Sequence, residues 1–410
     1  MVDFDGALIM NNSNQHVVSI TTIPPMEQVL SDDGEVHLRY RGEMETGTLI
    51  LKGTALVDVS YDTDITSDPA LPSAPLADSS SNLTIPDDAI KAQAGLLSEK
   101  NSTLSTVRDL VSYVHDGMAY DLSYWGRIAP AKEVFKDRRG VCVEYTHLLI
   151  SMADSLGLKA RYVSGFVYGA SWQPHAWADI EVPGQGWLPA DATFGQVGIL
   201  DSSHVALSQG ADQTSAYDLL LSDKPGATLD VSDSIGSVSS SMDLKGSSIE
   251  LGFDNSTYTV SVKMRNDRSD YVFGAYDLSG QNGFISTDRK IVLLPPKGEM
   301  RRFYGLNRSL FQEGYVYTIP LGASLNDATA QKTVRIEIPA KPGPAAADQD
   351  VPQCLLPLIL LFIASLAVLL PHSIIEFTRL RRKHLPSFLK KSSAYLKEHG
   401  SKDSRGRRRP

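Results

Sequence analysis

The spacing of the apolar positions changes several times along the chain, and each change predicts a different kind of segment. Near the N-terminus apolar and polar residues alternate, most clearly at Leu56-Val57-Asp58-Val59-Ser60-Tyr61. A period of two residues is typical of strands with one buried face, so we predict a small β module over residues 1–65. Residues 66–86 are rich in Asp, Ser and Pro, which predicts a linker.

Helical spacing replaces this alternation after the linker. Apolar residues recur every three or four positions from Ile90 to Leu97 and from Val107 to Val114, which predicts helices. A longer apolar stripe follows Gly140, and Gly157 is placed to end that helix. The stripe consists of Tyr145, Leu148, Leu149, Met152 and Leu156. It predicts an amphipathic helix with one face buried.

Short β-rich runs follow this helix. They cover residues 160–168, 175–182 and 187–190. A Pro-Gly-Gln-Gly turn joins the last two runs, and if this hairpin centres near Pro183, His175 lies opposite Asp191 on one face of a sheet. The helices and strands together predict an α+β domain over residues 87–225.

Two further patterns occupy the C-terminal part of the chain. From residue 240 to residue 340, alternating runs separated by turn residues predict an immunoglobulin-like β-sandwich. Residues 341–353 predict a flexible stalk. The uncharged, apolar residues 354–375 suffice for one transmembrane helix. A buried core helix is the alternative, which the cluster of basic residues from Arg379 to Lys383 disfavours.

The formal net charge of −9 is unevenly distributed. Residues 371–410 hold twelve Lys or Arg and three Asp or Glu, a net +9, so the rest of the chain carries −18. An acidic body argues against nucleic acid as a partner, because phosphate binding requires a basic face. The basic residues 376–410 predict a cytoplasmic tail.

Candidate glycosylation sequences agree with this orientation, because all of them precede the apolar segment. The Asn-x-Ser/Thr acceptors are Asn11, Asn82, Asn101, Asn255 and Asn307. We therefore expect a single-pass protein of the cell membrane whose body lies outside. The residues after Met1 do not form a signal peptide, and we expect the β module to be truncated, with an upstream segment missing. The oligomeric state does not follow from these patterns.

Three short segments combine into a candidate cysteine site. Cys142 is one of two cysteines, and a thiol attacks a carbonyl well only as thiolate. It lies near the predicted start of a helix, where backbone N–H groups and the helix dipole favour negative charge. His175 can accept the thiol proton, and Asp191 can hold the imidazole in the required tautomer. The backbone N–H of Cys142 is a natural oxyanion donor.

Residues 107–194 resemble the transglutaminase-like superfamily, whose core carries a papain-like cysteine site in the order Cys, His, Asp. The resemblance rests on GVCVEYTHLL at 140–149, LKARYVSGF at 158–166, HAW at 175–177 and GWLPADATF at 186–194. It implies a nucleophile helix packed on an antiparallel sheet, with Cys142, His175 and Asp191 as catalytic residues. No cofactor or metal site is predicted. Calcium enters through the family resemblance alone, because animal transglutaminases use it and no feature of this sequence requires it.

Two features depart from the family pattern. Ala192 replaces the proline that usually follows the aspartate, which we expect to change the local turn more than the chemistry. The family often supplies a second oxyanion donor from an upstream Trp or another polar side chain, and here Trp125 and Tyr120 are the candidates. The other polar residues of the nucleophile helix receive structural roles: Glu144 as a solvated or first-turn charge, and His147 in the core or on the surface.

These observations predict a membrane-anchored thiol enzyme, exposed outside the cell, that acts on amide bonds of a protein or peptide through a Cys142 thioester. We favour hydrolysis, as by a peptidase or amidohydrolase, because an exposed site makes water the abundant acceptor. Protein cross-linking by transfer to an amine is an alternative. Another alternative is a non-catalytic adhesion or scaffold protein with a degenerate core. In that case Cys142 is an inert thiol, His175 a strand histidine and Asp191 a turn cap.

Overall fold

The computed structural model describes residues 1–43, 47–61, 64–74, 76, 81–215, 218–223, 226–236, 246–281 and 283–341. The helices and strands of these ranges lie within one unit, Met1–Ala340. No helix in the described ranges has the length and apolar composition that a membrane crossing requires. The predicted transmembrane helix and tail, and the stalk beyond Lys341, lie outside the described residues.

The described part of the predicted N-terminal module is built from strands that alternate between buried and exposed positions. They are β1 (Val2–Met10), β2 (Gln15–Ile23), β3 (Glu27–Leu30), β4 (Glu35–Gly42) and β5 (Lys52–Val59). Val36 and Leu38 of β4 are buried, whereas Arg39 and Arg41 carry exposed side chains. β1, β4 and β3 form one sheet, and β2 pairs with β5 as a separate ribbon.

Helices follow the N-terminal strands. They are α1 (Asp88–Leu97), α2 (Thr103–Gly117), α3 (Ala131–Asp137) and α4 (Cys142–Ser155), with the short parallel strands β6 (Ala119–Tyr120) and β7 (Arg139–Gly140) between them. The apolar stripes predict α1, α2 and α4. Asp87 caps α1 by accepting a hydrogen bond from the N–H of Ile90 at 2.9 Å, as N-cap carboxylates do. The predicted one-sided burial of α4 is wrong. Every residue of α4 except Val143 is buried, because α1, α2 and α3 surround the face that the sheet leaves free.

A five-stranded antiparallel sheet packs against α4. Its strands are β8 (Ala160–Tyr168), β9 (Trp172–Val182), β10 (Gly186–Asp191), β11 (Gln196–Val197) and β12 (Val205–Gly210), in the order β11-β10-β9-β8-β12. Ala178 and Ile180 of β9 join the core that contains α4. Val163 and Trp177 point to the other face, where they pack with Met10 of the N-terminal module. The sheet is therefore covered on both faces.

The hairpin between β9 and β10 differs from the predicted register. Val182 pairs with Gly186, so the hairpin centres on Gly184 and not on Pro183. Gly184 and Gly186 both have positive φ, at 72° and 103°, a conformation that glycine adopts without a steric penalty. The pairing moves Asp191 two positions along β9, away from the place opposite His175. A shift of two residues preserves the face of a strand, so both side chains still point to the same side.

The N-terminal module is joined to the rest of the unit by backbone pairing and by one buried side chain. β13 (Leu219–Ser222) pairs with β1 in antiparallel orientation, with Val2 opposite Ser222. Gln15 is 1% exposed. Its Nε2 donates to the carbonyl oxygens of Met10 and Ala206, both at 2.8 Å, and its Oε1 accepts from the N–H of Ala206 at 2.9 Å. Gln15 thus completes the hydrogen bonding of β12 where β12 bulges beside Ala206.

The C-terminal strands form a two-sheet antiparallel sandwich around a shared core. They are β14 (Ser247–Asp254), β15 (Thr259–Asn266), β16 (Val272–Gly280), β17 (Asp288–Leu294), β18 (Glu299–Gly305), β19 (Val316–Leu325) and β20 (Ala328–Glu337). The sheet orders are β14-β15-β18 and β17-β16-β19-β20. In a constant-type immunoglobulin sheet the fourth strand joins the sheet of the first, whereas β17 pairs with β16. The immunoglobulin-like class is therefore not confirmed.

Candidate active site

Cys142 is the first residue of α4, and its thiol is free and buried. The Thr146 hydroxyl donates to the Cys142 carbonyl at 2.8 Å. Glu144 Oε2 accepts from the N–H of Val141 at 2.9 Å and so caps the helix. Glu144 lies in the first turn of α4, which is one of the two predicted alternatives. The other alternative, a solvated charge, is wrong, because this residue is fully buried. Burial raises the pKa of its carboxyl above the ordinary value.

The local sequence explains how the chain enters α4 so closely. A Cβ on Gly140 would lie 2.3 Å from the Cβ of Glu144, so glycine at 140 makes room for the capping side chain. His147, one turn after Glu144, is buried, and its Nδ1 lies 3.2 Å from the carbonyl oxygen of Ala129. Burial lowers the pKa of His147, which agrees with the core alternative of the two predicted for it. Through this bond α4 holds the chain that leads from Trp125 to Ala129.

His175 and Asp191 form a buried hydrogen-bonded pair at the end of β9 and β10. His175 Nε2 donates to Asp191 Oδ2 at 2.8 Å. Asp191 Oδ1 accepts from the backbone N–H groups of Thr193 and Phe194 at 2.7 and 3.2 Å, which fixes the carboxylate within its own turn. The Phe194 ring stacks on the imidazole at a centroid distance of 4.9 Å. The predicted base and orienter thus meet despite the register shift.

The two ring nitrogens of His175 have different roles. Nε2 is bound to Asp191, so Nδ1 is the nitrogen available to Cys142. Burial alone would lower the pKa of His175, but the charge and hydrogen bond of Asp191, together with Cys142, outweigh burial and raise it to about 10. Burial alone would raise the pKa of Asp191, and its hydrogen-bonded histidines instead hold it well below the ordinary value.

His204 is a part of this site that the sequence analysis missed. It lies just before β12, and its Nε2 is 3.1 Å from Asp191 Oδ2, so Asp191 faces two histidines. Carboxylates outweigh the effect of burial and raise the pKa of His204 to about 8. A single histidine thirteen positions after Asp191 has no periodicity or motif that could have identified it. His115 of α2 was missed as well. Its Nδ1 lies 3.2 and 3.1 Å from the carbonyl oxygens of Ala192 and Thr193.

His175, Asp191 and His204 could also be considered as metal ligands, because their donor atoms lie within 4.8 Å of one another. The distances from Asp191 Oδ2 to the imidazole nitrogens, 2.8 and 3.1 Å, are those of hydrogen bonds. Calcium takes six to eight oxygen ligands, whereas this cluster offers one carboxylate and two imidazoles. The cluster therefore does not fit calcium.

The candidates for a second oxyanion donor lie near Cys142. Tyr120 pairs with Gly140, two residues before Cys142, across β6 and β7. Burial and the nearby Cys142 raise the pKa of Tyr120, so the hydroxyl keeps its proton. Trp125 follows a 3-10 turn, is 63% exposed and lines the same cleft as Cys142.

This cleft has a volume of about 570 Å³ and gives a substrate access to Cys142 and His175. One wall is the loop from Tyr124 to Ile128, and the floor crosses the sheet at Ser164–Phe166 of β8 and Leu207–Ser208 of β12. Gly165 lies beside His175 across the β8–β9 pairing. A side chain there would clash with the Val205 carbonyl oxygen, 2.0 Å from the position of a Cβ.

Residues 91–192 match the family model of the transglutaminase-like superfamily. Uncharacterized proteins from Mycobacterium bovis and Mycobacterium tuberculosis are each 29% identical over 129 residues, which is 28% of this chain and 40% of each relative. The match thus spans about two fifths of the length of these curated relatives.

Solved structures resemble the chain more weakly. One is described as "a Putative Cysteine Protease from Cytophaga hutchinsonii", with 20% identity and a TM-score of 0.39 over 54% of this chain and 81% of that one. Another is the transglutaminase of red sea bream, with 9% identity and a TM-score of 0.22 over 83% and 78%. The family match and the quoted motifs identify the segment that carries Cys142, His175 and Asp191 as a member of the transglutaminase-like superfamily.

Proposed function

We propose that the protein is a thiol enzyme that cleaves amide bonds of a protein or peptide through a Cys142 thioester. The observation that carries this proposal is the buried His175–Asp191 pair, hydrogen-bonded beside a free thiol at the first position of α4. An inert buried thiol would need neither an oriented imidazole nor a cleft of about 570 Å³.

The geometry supports a two-step reaction. Cys142 Sγ attacks the amide carbonyl carbon, and the thiol proton rests on His175 Nδ1. His175 then gives this proton to the leaving amine, and the C–N bond breaks to leave the thioester. In the second step a water molecule loses a proton to His175 and attacks the thioester carbon. The C–S bond then breaks, which releases the acid and returns the Cys142 thiolate beside protonated His175. Asp191 keeps Nε2–H fixed throughout, so that Nδ1 faces the reacting atoms.

Stabilisation of the oxyanion falls to the start of α4. The backbone N–H of Cys142, at the first position of α4, can donate to the substrate oxygen on which charge develops. Tyr120 pairs with Gly140 just before this N–H, and its protonated hydroxyl can donate to the same oxygen. We therefore favour Tyr120 over Trp125 as the second donor.

Hydrolysis is the favoured outcome because the cleft is open to water, and transfer to an amine would give the cross-linking alternative. We also propose that the protein is anchored to a membrane with its body outside the cell. The apolar residues 354–375 fit one transmembrane helix, and the basic residues 376–410 fit a cytoplasmic tail.

Alkylation of Cys142 tests the proposal without a known substrate. The full chain is treated with iodoacetamide at several pH values, and mass spectrometry follows the peptide that contains Cys142. We expect fast labelling at pH 6, below the ordinary thiol pKa of about 8.5, and loss of this reactivity in His175→Ala. His16→Ala, which changes an exposed histidine, is the control. Slow labelling at pH 6 in the unaltered chain would favour the degenerate core of an adhesion or scaffold protein.

Reaction with an activated ester shows whether water or an amine accepts the acyl group from Cys142. With a p-nitrophenyl ester, we expect an initial burst of nitrophenol and a mass increase on the Cys142 peptide, both absent in Cys142→Ala. Adding a primary amine distinguishes the two acceptors. A product that stays the free acid supports hydrolysis, whereas accumulation of amide supports transfer. A burst that survives in Cys142→Ala would contradict the thioester mechanism.

A further inference from the structure

We propose that His204 is a positioning residue of this site, a buried imidazolium that binds Asp191 together with His175 and sets the proton affinity of His175. The inference rests on the proposed function, because it gives His204 a role only if Cys142, His175 and Asp191 react together. It adds a second histidine to the three residues that the motifs identify.

Both ring nitrogens of His204 face hydrogen-bond acceptors. Nε2 lies 3.1 Å from Asp191 Oδ2. Nδ1 lies 3.1 Å from the carbonyl oxygen of Asp201 and 3.4 Å from Asp201 Oδ1. A neutral imidazole carries one N–H and one lone pair, so either neutral tautomer would direct a lone pair at an oxygen. The imidazolium satisfies both contacts.

The contacts of Asp191 favour its ionised form. Its Oδ1 accepts from two backbone N–H groups and its Oδ2 faces two imidazoles, and acceptance of several hydrogen bonds favours the ionised carboxylate. A charged Asp191 without exposure to solvent in turn requires a nearby cation. His204, which is also fully buried, supplies that cation at the stage of the reaction in which His175 has given up its proton.

The surroundings of His204 keep water away from these charges. The titratable groups that face it are Asp191, Asp201, His175 and Tyr61. The Tyr61 ring lies 6.1 Å away edge-on, and burial raises its pKa so that it stays neutral. Trp177 and Phe194 cover the ring at centroid distances of 5.2 and 6.0 Å. The protonated His204 ring thus lies between carboxylates and is covered by aromatic rings.

A charged His204 weakens His175 as a base. The ring centroids of the two histidines are 5.6 Å apart, and two like charges at this distance in a protein repel strongly enough to shift a pKa by about two units. Asp191 alone would hold the proton of His175 more firmly. His204 therefore makes it easier for His175 to return its proton to the leaving amine.

The protonation of His204 can be observed directly. The full chain is labelled with 15N-histidine, and the ring signals are recorded by NMR at pH 6.5, with His204 assigned by the loss of its signals in His204→Gln. We expect two ring N–H groups on His204. A single N–H on this ring would overturn the proposal, and the measurement on the unaltered chain decides even if the variant does not fold.

The repulsion between the two imidazoliums is reciprocal, and it is measured at His204. The pKa of His204, about 8, lies below that of His175, about 10, so His204 loses its proton while His175 is still charged. Both measurements use Cys142→Ala, where the thiol no longer contributes. We expect His175→Gln, which removes the second charge and keeps an N–H donor for Asp191, to raise the pKa of His204 by about two units. An unchanged His204 pKa would overturn the coupling of His204 to His175.

This readout needs no turnover, so the two hypotheses fail separately. A Cys142 that never becomes acylated contradicts the proposed function. A His204 pKa that does not respond to His175→Gln contradicts only the positioning role.

Discussion

At the scale of single residues, the site depends on how Asp191 is held. The spacing of the motifs predicted Asp191 as the orienter of His175, and their hydrogen bond is 2.8 Å long. The pattern could not predict His204, because this histidine reaches Asp191 through a loop whose path depends on tertiary packing. The burial of Glu144 was missed for a related reason. A carboxylate in the first turn of a helix is ordinarily solvated, and only the packing around α4 shows that this one is enclosed.

Replacing Asp191→Asn removes the charge and keeps the size of the side chain. The carboxylate is what outweighs burial at His175, so we expect the pKa of His175 to fall from about 10 toward its ordinary value. A less cationic His175 stabilises the Cys142 thiolate less, so alkylation at pH 6 should slow, and acyl transfer should fall by about 10²-fold or more. An alkylation profile that does not change with this substitution would exclude Asp191 as the orienter.

The same pKa shifts predict how stability depends on pH. His175 and His204 have folded-state pKa values raised to about 10 and about 8, above the ordinary 6.5. The folded state then binds more protons than the unfolded state between pH 6.5 and 10, so stability must fall as the pH rises through this window. We expect the urea midpoint to decrease from pH 6.5 to 9.5, and less steeply in His204→Gln than in His16→Gln. Equal slopes would contradict the prediction.

At the scale of elements, α4 shows what local pattern can and cannot establish. Its apolar stripe predicted the helix, and Gly157 follows its end as expected. The burial of its remaining faces depends on α1, α2 and α3, whose positions are set by long-range contacts that periodicity does not encode. The β9–β10 register was missed by two residues, because the positive φ of Gly184 and Gly186 fixes the turn.

Gly140→Ala tests how tightly α4 joins the strand before it. The new methyl group would lie 2.3 Å from the Cβ of Glu144, so the helix start must shift. We expect a loss of about 1–3 kcal/mol in the free energy of unfolding and slower alkylation of Cys142. Gly95→Ala is the matched control, because it has open space in α1 and an alanine there should stabilise the helix by about 0.5–1 kcal/mol. Similar effects of both substitutions would contradict the steric argument.

At the scale of the whole molecule, strands distant in sequence support the active site. The core sheet has α4 on one face and N-terminal residues on the other. Composition shifts predicted the order of the segments. They could not predict that β13, within the range predicted for the core, would pair with β1, because strand pairing over such a separation has no local signal.

Gln15→Leu tests this support. The substitution leaves the N–H and the carbonyl oxygen of Ala206 without the partners that Gln15 provides, and each buried unsatisfied group costs about 1–3 kcal/mol. We expect the free energy of unfolding to fall by about 2–4 kcal/mol, and alkylation of Cys142 to slow because β12 carries part of the cleft floor. Gln28→Leu, at an exposed position of β3, should change neither. A Gln15→Leu protein as stable as Gln28→Leu would show that the hydrogen bonds of Gln15 to Ala206 do not contribute to stability.

The pairing of β1 with β13 also affects how the chain is made. Val2 leaves the ribosome early, but its partner Ser222 follows only after roughly 10–40 s of synthesis at typical elongation rates. During this interval one edge of β1 has no strand to pair with, and open edges invite association with other chains. Nascent chains stalled before β13 should therefore need a chaperone to remain soluble, and those released after it should not.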